Sequence, residues 1–171
     1  AAGVVDTVGA NVSGFAPGDR VFTPTNHGQG GQGSYAEFAI ASADRVAHIP
    51  EGMSFAQAAA LPVAALTAWQ GLFDRGGLQA GESVLIVGAG GGVNSASIQI
   101  AKLAGASTVY VVGSDAEKCA LARELGADVT INRSEVDWGK AIFKATARQG
   151  VDIVIDNVGA ATYGMSLRAL K

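Results

Sequence analysis

From Gly81 onward the chain repeats one unit, an apolar strand followed by an amphipathic helix and a short connection, and this alternation leaves few folds open. Strands are expected at Ser83–Val87, Thr108–Val112, Val129–Ile131 and Asp152–Asp156, and helices at Val93–Ala104, Asp115–Leu125, Val136–Arg148 and Ala161–Leu170. The run Val84-Leu85-Ile86-Val87 has no polar alternation, which is what a strand needs when helices cover both faces of its sheet. Strand–helix–strand order makes that sheet parallel. The expected fold class is therefore α/β, a Rossmann doubly wound parallel sheet of order 3-2-1-4 with its later strands missing.

The earlier residues read differently. Gly3–Val8, Arg20–Thr23 and Ser34–Ile40 are short strand-like runs separated by Gly-Asp, Asn-His-Gly and Ala-Asp turns, with a polar glycine-rich loop at Gly28–Gly33. This is the pattern of the end of a small β-rich domain. From Ser54, a plausible helix cap, the pattern becomes helical, with a break expected at Pro62 and an alanine-rich helix at Val63–Arg75. The expected division is residues 1–62 and 63–171. The chain has no initiator Met, opens inside the apolar run Ala1-Ala2-Gly3-Val4-Val5 and stops at Lys171 on what reads as an unfinished helix, so both ends are expected to be cut.

Composition excludes several classes of function. A net charge of −3 with no Lys/Arg-rich run argues against nucleic acid as a partner. The longest apolar stretch, Ala58 to Leu66, is too short for a membrane span and contains Pro62. With Cys119 as the single cysteine there is neither an internal disulfide nor a cysteine-rich metal cluster, and a cytoplasmic location is expected.

The residues that carry chemistry are Gly88-Ala89-Gly90-Gly91-Gly92-Val93-Asn94, which follow an expected strand directly and open an expected helix. Glycines in that context allow a tight turn and close approach of the backbone to a pyrophosphate, held by the unpaired N–H groups and dipole of the helix start. A merely flexible glycine turn is the bland alternative, and the strand–turn–helix context speaks against it.

Together with Ser83–Ala106, the segments GDRVF at Gly18–Phe22, GSYAEF at Gly33–Phe38, AALPVAALTAW at Ala59–Trp69 and DNVGAAT at Asp156–Thr162 make the chain resemble the medium-chain dehydrogenase/reductase superfamily. The quinone-oxidoreductase-like and enoyl-reductase-like groups are the most similar. The resemblance covers essentially the whole chain, and it implies that the first part is the end of a GroES-like substrate domain and that members are roughly twice as long. It further implies a nicotinamide-dependent oxidoreductase acting on a small-molecule substrate, homodimeric at full length, with the 171 residues inactive by themselves.

Asn94 departs from the family pattern, which most often has glycine there; it is expected to be tolerated, acting as an N-cap to Ala96 or Ser97. Zinc-dependent relatives use three catalytic ligands, and many add a four-cysteine structural site. The lobe that would hold the cysteines reads FTPTNHGQGGQG, and the family's ligand on the helix after Pro62 aligns with Val63, so zinc independence is expected. His27 and His48 read as solvated loop or strand-end residues, and Cys119 as a partly buried helix residue.

Without a Lewis acid, hydride transfer from NADPH to an activated double bond or a quinone is the expected reaction, since a conjugated carbonyl already spreads the developing charge. By resemblance Thr67 faces the nicotinamide, with a hydroxyl bonded to its own helical turn as the alternative. Asn157 and Val158 lie against the adenosine, and Asp156 caps or packs. Tyr35 reads as structural and no proton donor is named. NADPH rather than NADH is expected because Gly113-Ser114 ends the second strand, where NAD-binding folds place an acidic residue. Asp115 is expected to cap the next helix, while Lys118 and Arg133 lie near a 2′-phosphate unless they are ordinary solvated charges. Two rivals stand beside this reading: a zinc-type alcohol dehydrogenase with its ligands outside this chain, and an NADPH-binding relative without turnover.

Overall fold

A computed structural model describes residues 1–25 and 33–171. It divides into two compact units, Ala1–Val63 and Ala64–Lys171, with the division inside a helix. Most of the glycine-rich loop at Gly28–Gly33, and His27 with it, lies outside the described residues.

In the first unit β1 (Ala2–Val4) pairs antiparallel with β2 (Arg20–Phe22), which pairs antiparallel with β3 (Ala47–His48). The strand expected at Ser34–Ile40 does not form: the segment bends and is exposed, and a strand is retained only where a neighbour satisfies its N–H and C=O groups. His48 is exposed at the end of β3, its Nε2 donating to the Gly14 carbonyl at 3.0 Å while its ring stacks on Phe15.

α1 (Phe55–Trp69) begins with a capping box. Ser54 Oγ accepts from the Gln57 N–H at 3.2 Å and Gln57 Oε1 accepts from the Ser54 N–H at 2.9 Å. The break expected at Pro62 is absent. The helix runs through Pro62 and continues as a π-helical turn, Gln70–Arg75. One missing N–H costs a single helical bond, and good helix formers on both sides together with burial of Ala58, Pro62, Ala68 and Leu72 outweigh it.

The second unit is a four-stranded parallel sheet built from β4 (Ser83–Val87), β5 (Thr108–Gly113), β6 (Val129–Asn132) and β7 (Ile153–Asp156), in the spatial order β6-β5-β4-β7. This is the expected 3-2-1-4 order. The helices are α2 (Gly92–Leu103), α3 (Ala116–Glu124), α4 (Trp138–Ala145) and α5 (Tyr163–Arg168). Alternate residues of the central strands feed two separate cores: Val84, Ile86, Val109 and Val111 pack with Ile98, Ala101 and Ala122, while Leu85, Val87, Tyr110 and Val112 pack with Trp138 and Ile142. That division explains why Val84–Val87 carries no polar residue. α4 stops short of its expected end at Arg148 because Ala147 and Arg148 turn to positive φ, 50° and 68°.

Candidate functional site

The carboxyl end of β4 leads into a turn with positive φ at Gly88 (105°) and Gly90 (88°), conformations that a side chain strongly disfavours. Gly91 is the N-cap of α2, with no side-chain cap bond, and nothing lies within 4 Å of where its Cβ would be. Gly90, Gly91 and Gly92 are exposed, and Ala89 and Val93 are half-buried. The turn therefore presents bare backbone and the first N–H groups of a helix to an open face, a setting suited to a phosphate oxygen. On one side Ala64 of α1 comes within 3.4 Å of the Cβ position of Gly92, and Thr67, one turn further along α1, is exposed.

Asn94 does not act as an N-cap. It lies in the first turn of α2, is buried, and its Nδ2 donates to the carbonyls of Val87 and Gly88 at 3.2 and 3.0 Å, while its Oδ1 accepts from Asn157 Nδ2 at 2.6 Å. Gly91 holds the cap position instead, which turns the amide of Asn94 inward against the end of β4. A Cβ on Gly88 would fall 2.7 Å from Asn94 Nδ2, so the two positions are matched: the asparagine fills space that only a glycine partner leaves. Val158 completes this side, its Cγ2 lying 3.7 Å from the Cβ position of Gly88.

On the other side of β4, the end of β5 is equally tight. A Cβ on Gly113 would fall 2.6 Å from the sulfur of buried Cys119, so α3 packs against β5 closely enough to leave no room for an acidic side chain there. Asp115 caps α3 as expected, accepting from the Lys118 N–H at 2.9 Å and from Ser114 Oγ at 2.8 Å. Those two donors and the Lys118 ammonium hold its carboxyl down at about 2. Lys118 then reaches back: its stem lies over Gly90, with Cγ 3.2 Å from that glycine's Cβ position, and its Nζ bonds Ser114 Oγ at 2.9 Å. Arg133 follows β6, exposed, with its backbone N–H donating to the Gly113 carbonyl at 3.0 Å. The structure thus gathers the glycine turn, Gly113, Ser114, Lys118 and Arg133 along one edge, with Asn157 and Val158 on the opposite side of the same turn.

Asp156 ends β7 as a cap and packing group. It accepts from the N–H groups of Val158 and Gly159 and from the hydroxyls of Thr162 and Ser166, the last at 2.6 Å. Burial works to raise its pKa, and the donors of Ser166, Thr162, Val158 and Gly159 outweigh it, leaving the carboxyl below its ordinary value.

Sequence reasoning missed two of these features, the Asn94–Asn157 pair and the contact of Gly113 with Cys119. The available signal for the first was an asparagine at a glycine position together with a second asparagine just past a strand end. For the second there was none, because packing between a strand and the helix after it depends on the turn that joins them.

The exposed glycine turn fits the diphosphate of a dinucleotide, since its open backbone is what a Cβ would fill. Residues 1–51 match the model of an alcohol dehydrogenase GroES-like domain, and residues 92–171 match that of a zinc-binding dehydrogenase. A mycocerosic acid synthase-like polyketide synthase of Mycobacterium tuberculosis is 40% identical over 99% of this chain, which corresponds to 8% of that protein. A quinone oxidoreductase of Homo sapiens is 36% identical over 99% of this chain and 50% of its own length. The crystal structure of CurK enoyl reductase superposes with a TM-score of 0.89 at 35% identity, covering 99% of this chain and 49% of that one. The chain spans about half the length of the quinone oxidoreductase it matches. The zinc in the second model's description meets no donor set: among the described residues no group of three His, Cys, Asp or Glu is placed to hold a metal, and Val63 offers no donor atom. No helix among those residues is long and apolar enough to cross a membrane. By its ordered motifs, its sheet and these matches, the chain belongs to the medium-chain dehydrogenase/reductase superfamily, among the quinone-oxidoreductase-like and enoyl-reductase-like members.

Proposed function

We propose that this chain binds NADPH and serves a zinc-independent reductase that passes hydride to an activated double bond or a quinone. One observation carries the cofactor choice: at the end of β5 the packing of Cys119 leaves no room for a carboxylate at Gly113, and Lys118 lies across Gly90 with its ammonium at Ser114. A carboxylate there would bond the ribose hydroxyls and repel a 2′-phosphate, and a cation does the reverse. Asp115 is occupied by its own helix and by Lys118, so its charge is balanced within the site. The nicotinamide, when bound, supplies the hydride.

The protein's share is positioning. Gly90, Gly91 and the start of α2 hold the diphosphate, Lys118 and Arg133 the 2′-phosphate, and Thr67 on α1 lines the nicotinamide side. An electron-poor conjugated substrate spreads the negative charge that arrives with hydride, and a proton then completes the reduction. Such chemistry does not demand a metal Lewis acid, for which Val63 has no side-chain ligand atom.

Titration of the chain with each dinucleotide tests the reading. Tighter binding of NADPH by roughly ten- to hundredfold is expected, the gain of two cations meeting one phosphate in a partly screened site. Equal affinity, or tighter NADH, overturns it.

A further inference from the structure

The buried amide of Asn94 has its orientation fixed by what surrounds it. Its Nδ2 places both protons on carbonyl oxygens, those of Val87 and Gly88, so turning the amide over would set oxygen against oxygen twice. Oδ1 must then face Asn157 as an acceptor, and Asn157 must answer with its own Nδ2. The orientation of the second amide is therefore dictated by the first. Asn157 is exposed, at the carboxyl end of β7 beside the glycine turn, and with one N–H of its amide given to Asn94 its oxygen is fixed as an acceptor on the other branch of an otherwise ambivalent side chain.

We propose that Asn94 is a positioning residue that acts through Asn157, holding that side chain so that Oδ1 is offered as an acceptor to a ribose hydroxyl of the dinucleotide. The proposal rests on the dinucleotide reading above. Glycine turns take the diphosphate, and the groups on either side of a diphosphate in such a cofactor are riboses, whose hydroxyls are donors seeking an acceptor. A freely rotating asparagine offers its NH₂ face and its oxygen about equally. A clamped one holds its oxygen in one direction, with the second N–H of the same amide on the other side, and without the cost of ordering the side chain at the moment of binding. Glycine at position 94 provides no such clamp, so the departure from the family pattern gains a purpose in which Asn94 and Asn157 work as a unit.

The test is a cycle of variants in the full chain, read by calorimetric titration of NADPH and NADH and, separately, by melting temperature. Asn94→Ala keeps a good helix former and removes the clamp, and is expected to weaken both dinucleotides by about tenfold, the scale of one misdirected hydrogen bond. Asn157→Asp in the otherwise unchanged chain sets a carboxylate against Asn94 Oδ1 and is expected to weaken them as well. In the Asn94→Ala background the same Asn157→Asp change should instead restore affinity to within about threefold, because a carboxylate accepts whichever way it turns. Melting temperature should stay low in every variant lacking Asn94, since Val87 and Gly88 lose their donors regardless. This reversal of sign is the expected result, and a merely structural asparagine does not produce it. Losses that simply add, in a chain that binds dinucleotide well, overturn the positioning role alone. Absence of binding by the unaltered chain overturns the dinucleotide reading, and this role with it.

Discussion

Val84 to Val87 of the second unit are all buried, whereas Phe38 and Ile40 of the first are 73% and 100% exposed. The residue types are alike, so the difference lies in their neighbours. β4 has a parallel strand on each side and a helical layer over each face, and its side chains have somewhere to go in both directions. The first unit offers strands of two or three residues, and its apolar side chains, among them Val4, Val8, Val12 and Phe15, line an open concavity of about 460 Å³. Apolar content does not make a core unless backbone pairing first brings the faces together.

If the second unit's core carries the fold, the largest effects belong there. Ile86→Ala removes a fully buried side chain between β5 and β7 and is expected to cost about 2–5 kcal/mol. Chemical denaturation followed by tryptophan fluorescence measures it, and a cost below about 1 kcal/mol would mean that the sheet is not the cooperative unit described.

Next in size is the carboxylate that joins β7 to α5. Asp156→Ala strips its partners from two N–H groups and two hydroxyls and is expected to cost about 2–3 kcal/mol, in the range of hydrogen bonds to a charged group. Acid should reproduce part of this loss. Asp156, Asp115 and Asp152 all have pKa values lowered in the fold, the last two from 3.8 to about 2. A lowered folded pKa means that the unfolded chain binds protons first, so this stability is complete above about 3.8 and drains away as pH falls toward about 2. A melting temperature flat across that interval would show these carboxylates to be unengaged in solution.

The same contrast sets how much was legible in the sequence. The 3-2-1-4 sheet and the helix caps at Ser54 and Asp115 were readable because each depends on a few adjacent residues and a fixed period. The strand misplaced at Ser34–Ile40 was not, since alternation says what a strand would bury but not whether a neighbour exists to pair with it. Pro62 misled for a related reason: the local penalty is visible in sequence, while the burial that outweighs it is a property of the packed helix. At the site, the glycines announced themselves, whereas the inward turn of Asn94 depended on carbonyls that only the folded β4 places within reach.

Between the core and the surface lies the charge pair. Lys118→Ala together with Arg133→Ala is expected to weaken NADPH by roughly ten- to hundredfold and to leave NADH nearly unchanged, with the fold intact because both side chains are exposed. Parallel titrations of both dinucleotides decide it. Equal weakening of the two would mean that these residues act through the turn rather than through the 2′-phosphate, as removal of the Lys118 stem from over Gly90 would do.

The smallest effect is expected where the apolar residues are most conspicuous. Ile40→Ser changes a side chain that is fully exposed and outside any strand, so the folded state loses almost no burial and the denatured state changes little. A shift within about 0.5 kcal/mol follows, against several for Ile86→Ala, although both begin from isoleucine. Denaturation curves of the two variants side by side give the ratio directly. A loss above about 1 kcal/mol at Ile40 would require that it be buried in solution, and so that the segment 34–40 pairs there with backbone that the described fold does not bring to it. Solubility offers an independent reading of the same question. An exposed isoleucine near exposed Phe38 and Tyr35 is a site for chains to meet, so the serine variant should remain clear at concentrations where the unaltered chain scatters light, without any gain in melting temperature.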